Sequence, residues 1–213
     1  MVLLRVKGET ASEVAGMVRA MKSVCLKIDI RDRVLDIVGT GGDGADTINI
    51  STAAGILAAA CGCKVAKTGN RSVSSKCGSA DVLERLGIAI DLDSSKLIKC
   101  IAECGIGFLF APVFHPATKI VAPIRKSLGV RTVFNMLGPL TNPANPQHVV
   151  LGVFDKNLME LFAKALVELG QIDHGLIVHG CGLDEVSPLG PSDIYEIKNV
   201  APKGAAKRYE ISR

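Results

Sequence analysis

Gly39, Gly41, Gly42 and Gly44 crowd four glycines into six residues, directly after the apolar pair Ile37 and Val38. No regular element tolerates that density, so the stretch reads as a loop at the end of a short buried strand. Glycines leave backbone N–H groups bare and free to converge on an anion. Asn49, Ser51 and Thr52 follow, then an apolar run over 53–61. The spacing predicts a helix there, capped by Ser51 or Thr52, with its N-terminus facing the glycine loop. A glycine loop leading into a helix N-terminus is suited to phosphate. The plainer reading is a strand–loop–helix connection with a capping serine; a single glycine would favour it, and four do not. Neither common nucleotide loop is present. Asp43 and Gly44 stand where a Walker loop needs Lys and Ser or Thr, and Ala45-Asp46-Thr47 lacks the third glycine of the dinucleotide fingerprint. Asp43 and Asp46 would repel a bare phosphate. They make sense beside a divalent cation, or where a sugar hydroxyl is held too.

A second candidate loop is Lys67-Thr-Gly-Asn-Arg-Ser-Val-Ser-Ser75. It carries two cations (Lys67, Arg71), an amide (Asn70) and the hydroxyls of Ser72, Ser74 and Ser75. A polar surface loop is the bland reading, but Lys and Arg within five residues, beside Gly and Ser, suit a pyrophosphate at a strand end. Asp184-Glu185 follows Gly180-Cys-Gly-Leu at the end of another expected strand. Taken alone the pair reads as a solvated surface feature. The other reading is a hydrated Mg²⁺, which takes one or two carboxylates plus substrate phosphates. His115, between Phe114 and Pro116, fits a packed histidine or a ligand contact equally well. Arg125 and Arg131 add cationic reach. No Ser-His-Asp or Cys-His arrangement is evident.

The elements that must position these residues follow from periodicity and punctuation. Thr10 and Glu13 form a capping box opening a helix over 10–24, with Val14, Met17, Val18 and Met21 at helical spacing. Strands are expected over 34–38, 64–67, 107–111, 147–153, 174–179, 194–197 and 209–211, the last two joined by the polar turn Pro202-Lys-Gly. Helices are expected over 53–61, 76–86, 93–104, 117–127 (despite Pro123) and 157–169, with a rigid turn over 137–143. This alternation implies an α/β fold, a largely parallel sheet covered by helices. Residues 1–30 read as part of a helical appendage and 31–213 as the α/β domain; the helical part could also draw on about 93–130.

Composition limits the function. Of 213 residues, 48% are hydrophobic and only 4% aromatic, with no Trp, so the core is aliphatic, as buried parallel strands require. The net charge of +4 is diffuse, with no Lys/Arg run beyond two residues. That favours a small anionic ligand and argues against nucleic acid. No apolar run reaches ~18 residues, so no membrane span is expected. Seven scattered cysteines read as reduced thiols in the cytoplasm, or in a plastid if the source is photosynthetic. Cys61 with Cys63, and Cys100 with Cys104, read as core packing rather than metal ligands, for want of partner pairs.

Several motifs occur in order over about 36–185: Gly39-Thr-Gly-Gly-Asp43, Asn49-Ile-Ser-Thr52, Lys67-x-Gly-Asn-Arg-x-x-Ser-Ser75, Gly78-Ser-Ala-Asp81, Arg125-x-x-Leu-Gly-x-Arg-Thr132, Asn135-x-Leu-Gly-Pro-Leu-x-Asn-Pro143 and Asp184-Glu185. Together they closely resemble the anthranilate phosphoribosyltransferases. The resemblance implies a small α-helical domain joined to an α/β domain, as in pyrimidine-type nucleoside phosphorylases, and a homodimer. It implies transfer of phosphoribosyl from 5-phosphoribosyl 1-diphosphate to the amine of anthranilate, in tryptophan biosynthesis, with Mg²⁺. By resemblance, Gly39, Gly42, Asp43, Thr47, Asn49, Ile50, Ser51 and Thr52 hold the diphosphate substrate, with Lys67, Asn70, Arg71, Ser74, Ser75 and Ser79. Gly39, Asn70 and Arg125 meet anthranilate, and His115 is a further candidate. Ser51, Asp184 and Glu185 are the implied metal ligands; no residue is implied as acid or base. Two departures stand out. Thr68 occupies a position where the family usually has His. The family also has further helices before about Gly8 and a further segment after Arg213. A nucleoside phosphorylase and a non-catalytic nucleic-acid-binding protein of the same fold are the rival readings.

Overall fold

The computed structural model describes residues 1–72, 76–198 and 205–212. It opens with a short helix, α1 (Val2–Lys7), whose Leu3 and Val6 point to solvent. The sequence reading placed no element there; so short a run has no periodicity to read. Helix α2 (Ala11–Ser23) starts at Thr10. Its hydroxyl accepts from Glu13 N at 3.3 Å, while Glu13 Oε2 accepts from Thr10 N at 2.9 Å, the expected capping box. Val14 and Val18 fall on one face of α2 and enter the core beside helix α9 (Met159–Leu169).

Between these lie β1 (Leu35–Gly39), α3 (Ile50–Ala60), β2 (Val65–Gly69), α4 (Ser79–Arg85), α5 (Ser94–Cys104), β3 (Ile106–Phe110), α6 (Ala111–Phe114), α7 (Thr118–Leu128), α8 (Phe134–Leu137) and β4 (His148–Gly152). Strands β5 (His174–Gly180), β6 (Ser192–Lys198) and β7 (Ala205–Ile211) follow α9. The sheet order is β3-β2-β1-β4-β5-β6-β7. The first five strands are parallel, with Leu35 opposite both Val65 and His148. The last two add antiparallel pairings, Ser192 to Gly180 and Ser192 to Ile211. The α/β class and the largely parallel sheet are as expected. The expected turn at 202–204 lies outside the described residues.

Two apolar clusters lie side by side on one face of the sheet: one gathers Val14, Val18, Leu151, Phe162, Leu166 and Ile177, the other Val34, Ala66, Leu97, Ile101, Leu109 and Phe114. A smaller third, with Ala80, Leu83, Ile90 and Phe108, lies on the opposite face. Pro123 sits inside α7, which carries no fully buried residue and so tolerates the lost backbone bond at the surface. The cysteine expectation is corrected. Cys61, Cys63 and Cys104 are exposed, and Cys100 is only half-buried. Each lies at or near the closing end of α3 or α5, where the chain turns under the amino ends of the strands, so their apolar neighbours in sequence do not enclose them.

Candidate functional site

β1 lies between β2 and β4. Its carboxyl end therefore opens where strand order reverses, the place where ligands enter such sheets. The glycine loop leaves β1 there. Its first bond is Thr40 N to Gly152 O at 2.9 Å, and Thr40 Oγ1 accepts from Phe154 N at 3.2 Å. Gly41 and Gly42 then adopt φ of 63° and 79°, a left-handed backbone that glycine enters without strain. Arg131 holds the loop from one side: Nη2 donates to Gly42 O at 2.8 Å, and its guanidinium lies 4.4 Å from the Phe154 ring centroid. On the other side Gly41 N donates to Asp184 Oδ2 at 2.7 Å. Asp46 pairs with Lys76 at 2.9 Å, and Thr47 is exposed.

The cap of α3 differs from the expectation. The helix begins at Ile50, three residues earlier, and Asn49 caps it: Oδ1 accepts from Thr52 N at 3.0 Å. Ser51 and Thr52 lie inside the first turn. Asn49 is held by its other end as well, Nδ2 donating to Cys77 O at 3.0 Å, so tertiary contacts decide which of three cap-competent residues serves. Ser51 and Ser79 both donate weakly to Asn49 Oδ1, at 3.3 and 3.4 Å.

Lys67 is 2% exposed, unusual for an ammonium. Its Nζ donates to Ile37 O at 2.6 Å and Ser51 Oγ at 3.1 Å. Burial pulls its pKa down to about 8, against the attraction of Asp36 and Glu185. Lys67 thus joins the end of β1, the start of α3 and the acidic pair. Asn70 is exposed, its Oδ1 accepting from Arg71 N at 2.7 Å. Arg71 turns elsewhere. Its guanidinium is bound by both carboxylate oxygens of Glu84, with Nη2–Oε1 at 2.8 Å, and reaches Asp81 at 3.5 Å. Ser74 and Ser75 lie outside the described residues.

Asp184 and Glu185 are presented by a tight turn. Gly180 and Leu183 exchange backbone bonds of 3.1 and 3.0 Å, and the central Cys181 and Gly182 both have positive φ, 52° and 87°. Gly182 N donates to His179 Nε2 at 3.3 Å, which leaves Nδ1–H to bond Val153 O at 2.8 Å. The turn brings the pair back over β1. Burial and the nearby Asp43 raise the Asp184 pKa, against the Gly41 N–H. Burial, then Asp184 and Asp43, push Glu185 up to about 7, against Lys67. Three carboxylates therefore crowd one cleft with one buried ammonium. Among the described residues no ready-made cage of three His, Cys, Asp or Glu ligands exists.

Arg125 and His115 make their contacts with other residues. Arg125, in the last turn of α7, lies 5.9 Å from the Phe134 ring centroid. His115 is 6% exposed, and its Nδ1 has no hydrogen-bond partner. Burial and Lys22 lower its pKa, while Thr141 raises it.

Residues 31–212 match the glycosyl transferase family, a/b domain. The chain belongs to this family. Among relatives of the glycosyl transferase a/b domain, an anthranilate phosphoribosyltransferase of Methanosarcina mazei is 56% identical over 198 residues, 92% of this chain and 53% of that protein. One from Methanosarcina acetivorans is 56% identical over 98% of this chain and 56% of its own. The crystal structure of anthranilate phosphoribosyltransferase from Thermus thermophilus superposes with a TM-score of 0.87 at 49% identity, over 97% of this chain and 61% of that one. The Saccharomyces cerevisiae enzyme in complex with PRPP and Mg gives 0.85 at 35% identity, over 95% and 55%. The chain spans little more than half the length of these relatives.

Three residues of this glycosyl transferase domain drew no role from sequence. Asp36 is fully buried beneath the cleft, Asn142 is bonded to it, and His179 holds the acidic turn. The available signal was Asp36 itself, a lone charge inside the strand Leu35-Asp-Ile-Val-Gly39.

Proposed function

We propose that this chain is the phosphoribosyl-diphosphate-binding part of an anthranilate phosphoribosyltransferase. The reaction joins the anthranilate amine to C1 of 5-phosphoribosyl 1-diphosphate and releases diphosphate, as in tryptophan biosynthesis. One observation carries the reading: Gly41 N meets Asp184 Oδ2 at 2.7 Å, beside buried Lys67. An anion-binding loop and a cation-binding pair thus share one cleft. Residues 1–30 are then the remnant of a helical domain, which also draws on 93–130, and 31–213 the incomplete α/β domain. A homodimer belongs to the same reading.

The donor set suits Mg²⁺. Asp184 and Glu185 are partly desolvated carboxylates in mutual repulsion, and a hard cation relieves that while keeping sites for substrate oxygens. Asp184 and Glu185 would hold one such ion, and Ser51 another. When bound, they supply charge neutralisation at the leaving diphosphate. Lys67 adds a fixed positive charge, and the glycine loop and α3 N-terminus offer backbone N–H groups. Gly39, Gly42, Asp43, Thr47, residues 49–52, Asn70, Arg71 and Ser79 complete the diphosphate pocket in this reading, with Ser74 and Ser75. Arg71 must leave Glu84 to join it. Arg125 pairs the anthranilate carboxylate, with Asn70, Gly39 and His115 nearby. The aromatic amine is already a nucleophile, so positioning does the remaining work and no side chain need take its proton first.

The test is loss of anthranilate fluorescence on adding 5-phosphoribosyl diphosphate and Mg²⁺ to the protein at its full length. Replacing Asp184 and Glu185 together by Ala should abolish the Mg²⁺-dependent loss and leave the circular dichroism unchanged. A folded double variant turning over at the wild-type rate contradicts the assignment.

A further inference from the structure

Asp36 is a carboxylate with no exposed surface in an otherwise apolar strand. Three donors close on it: Thr68 N at 3.0 Å, Thr68 Oγ1 at 2.7 Å and Asn142 Nδ2 at 2.7 Å. Thr68 and Asn142 lie 32 and 106 residues away in sequence. Asn142 has nothing to spare. Its Nδ2 also donates to Ala66 O at 2.8 Å, and its Oδ1 accepts from Ala144 N at 2.8 Å. One carboxylate therefore ties together the three segments β1, β2 and the turn around 138–144.

Stability alone does not account for such a residue. Taking a carboxylate out of water costs several kcal/mol even after relaxation, and well-packed apolar residues often serve a core as well or better. What a carboxylate adds is direction. It accepts from both the main chain and the side chain of Thr68, so that peptide can neither slide nor rotate. Successive residues of a strand point to opposite faces. Thr68 fixed toward Asp36 fixes Lys67 toward the other face, where its Nζ reaches Ile37 O and Ser51 Oγ. Asn70 leaves the same strand end two residues later. Asp36 itself is enclosed by its donors and touches no open space.

We propose that Asp36, through Thr68 and Asn142, is a positioning residue that sets the Lys67–Asn70 strand end against the 138–144 turn and so shapes the phosphate side of the cleft. This rests on the proposed function only in naming the ligand. It also gives Thr68 a part of its own: its hydroxyl is spent on Asp36 and faces the interior.

The experiment compares Asp36→Asn, Thr68→Val and Thr68→Ser in the full-length protein by two readouts. The first is the dissociation constant of 5-phosphoribosyl diphosphate with Mg²⁺, by calorimetry. Asp36→Asn turns one acceptor into a donor facing donors, and Thr68→Val deletes one bond at constant shape. Each should weaken binding about tenfold or more, roughly the worth of one charge-assisted hydrogen bond. Thr68→Ser keeps both bonds and should bind as wild type does. The second readout is amide hydrogen exchange. Exchange should quicken in peptides covering 66–72 and 138–144, and not in α9. Weakened folding with unchanged affinity and no local change in exchange overturns the proposal, as does failure of Thr68→Ser to match wild type. If wild type itself does not bind the diphosphate, the functional reading fails, and the exchange pattern still decides the role of Asp36. If Asp36→Asn does not fold, the Thr68 pair carries the test.

Discussion

Gly152 closes β4 directly under the acidic pair, and replacing it by Ala perturbs that pair through the backbone. A β-carbon at 152 would stand 2.6 Å from the Asp184 carbonyl carbon and 3.2 Å from its Cβ, with the carbonyl oxygen closer still. These are main-chain atoms for the most part, so no rotamer change relieves the overlap. Ordinary contact begins near 3.4 Å, so the loop carrying Asp184 and Glu185 must retreat by more than ~1 Å. Overpacking of this kind costs about 1–3 kcal/mol of stability. A displacement of about 1 Å in a catalytic constellation costs on the order of 10²-fold in rate. Gly175→Ala is the control. Its β-carbon meets side-chain atoms, the methyls of Val149 and Ile172 at 3.1 and 3.2 Å and Ile197 Cβ at 3.8 Å, near the opposite end of the sheet. Urea midpoints and phosphoribosyl-transfer rates should be measured on both variants at full length. Both should lose stability, and only Gly152→Ala should lose the rate. Equal rates in the two variants refute the link between Gly152 and the acidic pair.

Gly16 is exposed within α2, with nothing inside 4 Å of a would-be β-carbon, so Gly16→Ala should raise stability by about 0.5–1 kcal/mol in urea unfolding. Burial holds the folded His115 pKa below the ordinary histidine value of 6.5, so the unfolded chain takes up its proton first and stability drains away as pH falls below 6.5. The gap between wild-type and His115→Gln urea midpoints should therefore shift toward the variant between pH 7.5 and 5.5; a constant gap would count against a buried neutral histidine. Arg125→Ala should raise the KM for anthranilate about 30-fold, the worth of ~2 kcal/mol for a lost bidentate pair, and spare diphosphate affinity; equal losses for both substrates would show the assignment wrong.

Much of the fold was legible because punctuation and periodicity agreed. The glycine cluster stops β1, the Thr10–Glu13 box starts α2, and strands alternate with helices up to His179. What escaped was decided by contacts distant in sequence. Asn49 rather than Ser51 or Thr52 caps α3 because Cys77 O holds its amide. Arg71 faces Glu84 and Asp81, on a helix whose orientation no local pattern specifies. The cysteine pairs looked interior by their neighbours, yet they lie where α3 and α5 end. Asp36 was visible as an anomaly, but its partners sit 32 and 106 residues away.

The central place of β1 has a consequence in time. Val34 and Gln147, at the edge of the β1–β4 pairing, are 113 residues apart, and Gly41 and Asp184 are 143 apart. A chain made at roughly 5–20 residues per second exposes the glycine loop on the order of ten seconds before Asp184 emerges. Until β4 emerges, β1 has a partner on only one side, β2, and its other edge is open. Parallel pairings across such spans are slow to form, since the loop must close before any contact rewards it. The glycine loop is thus made well before the residues that complete its setting, and is late to acquire its working shape. A ribosome stalled anywhere between β2 and β4 would hold out an unpaired apolar strand edge, which makes that stretch of translation the period when a chaperone matters most to this protein.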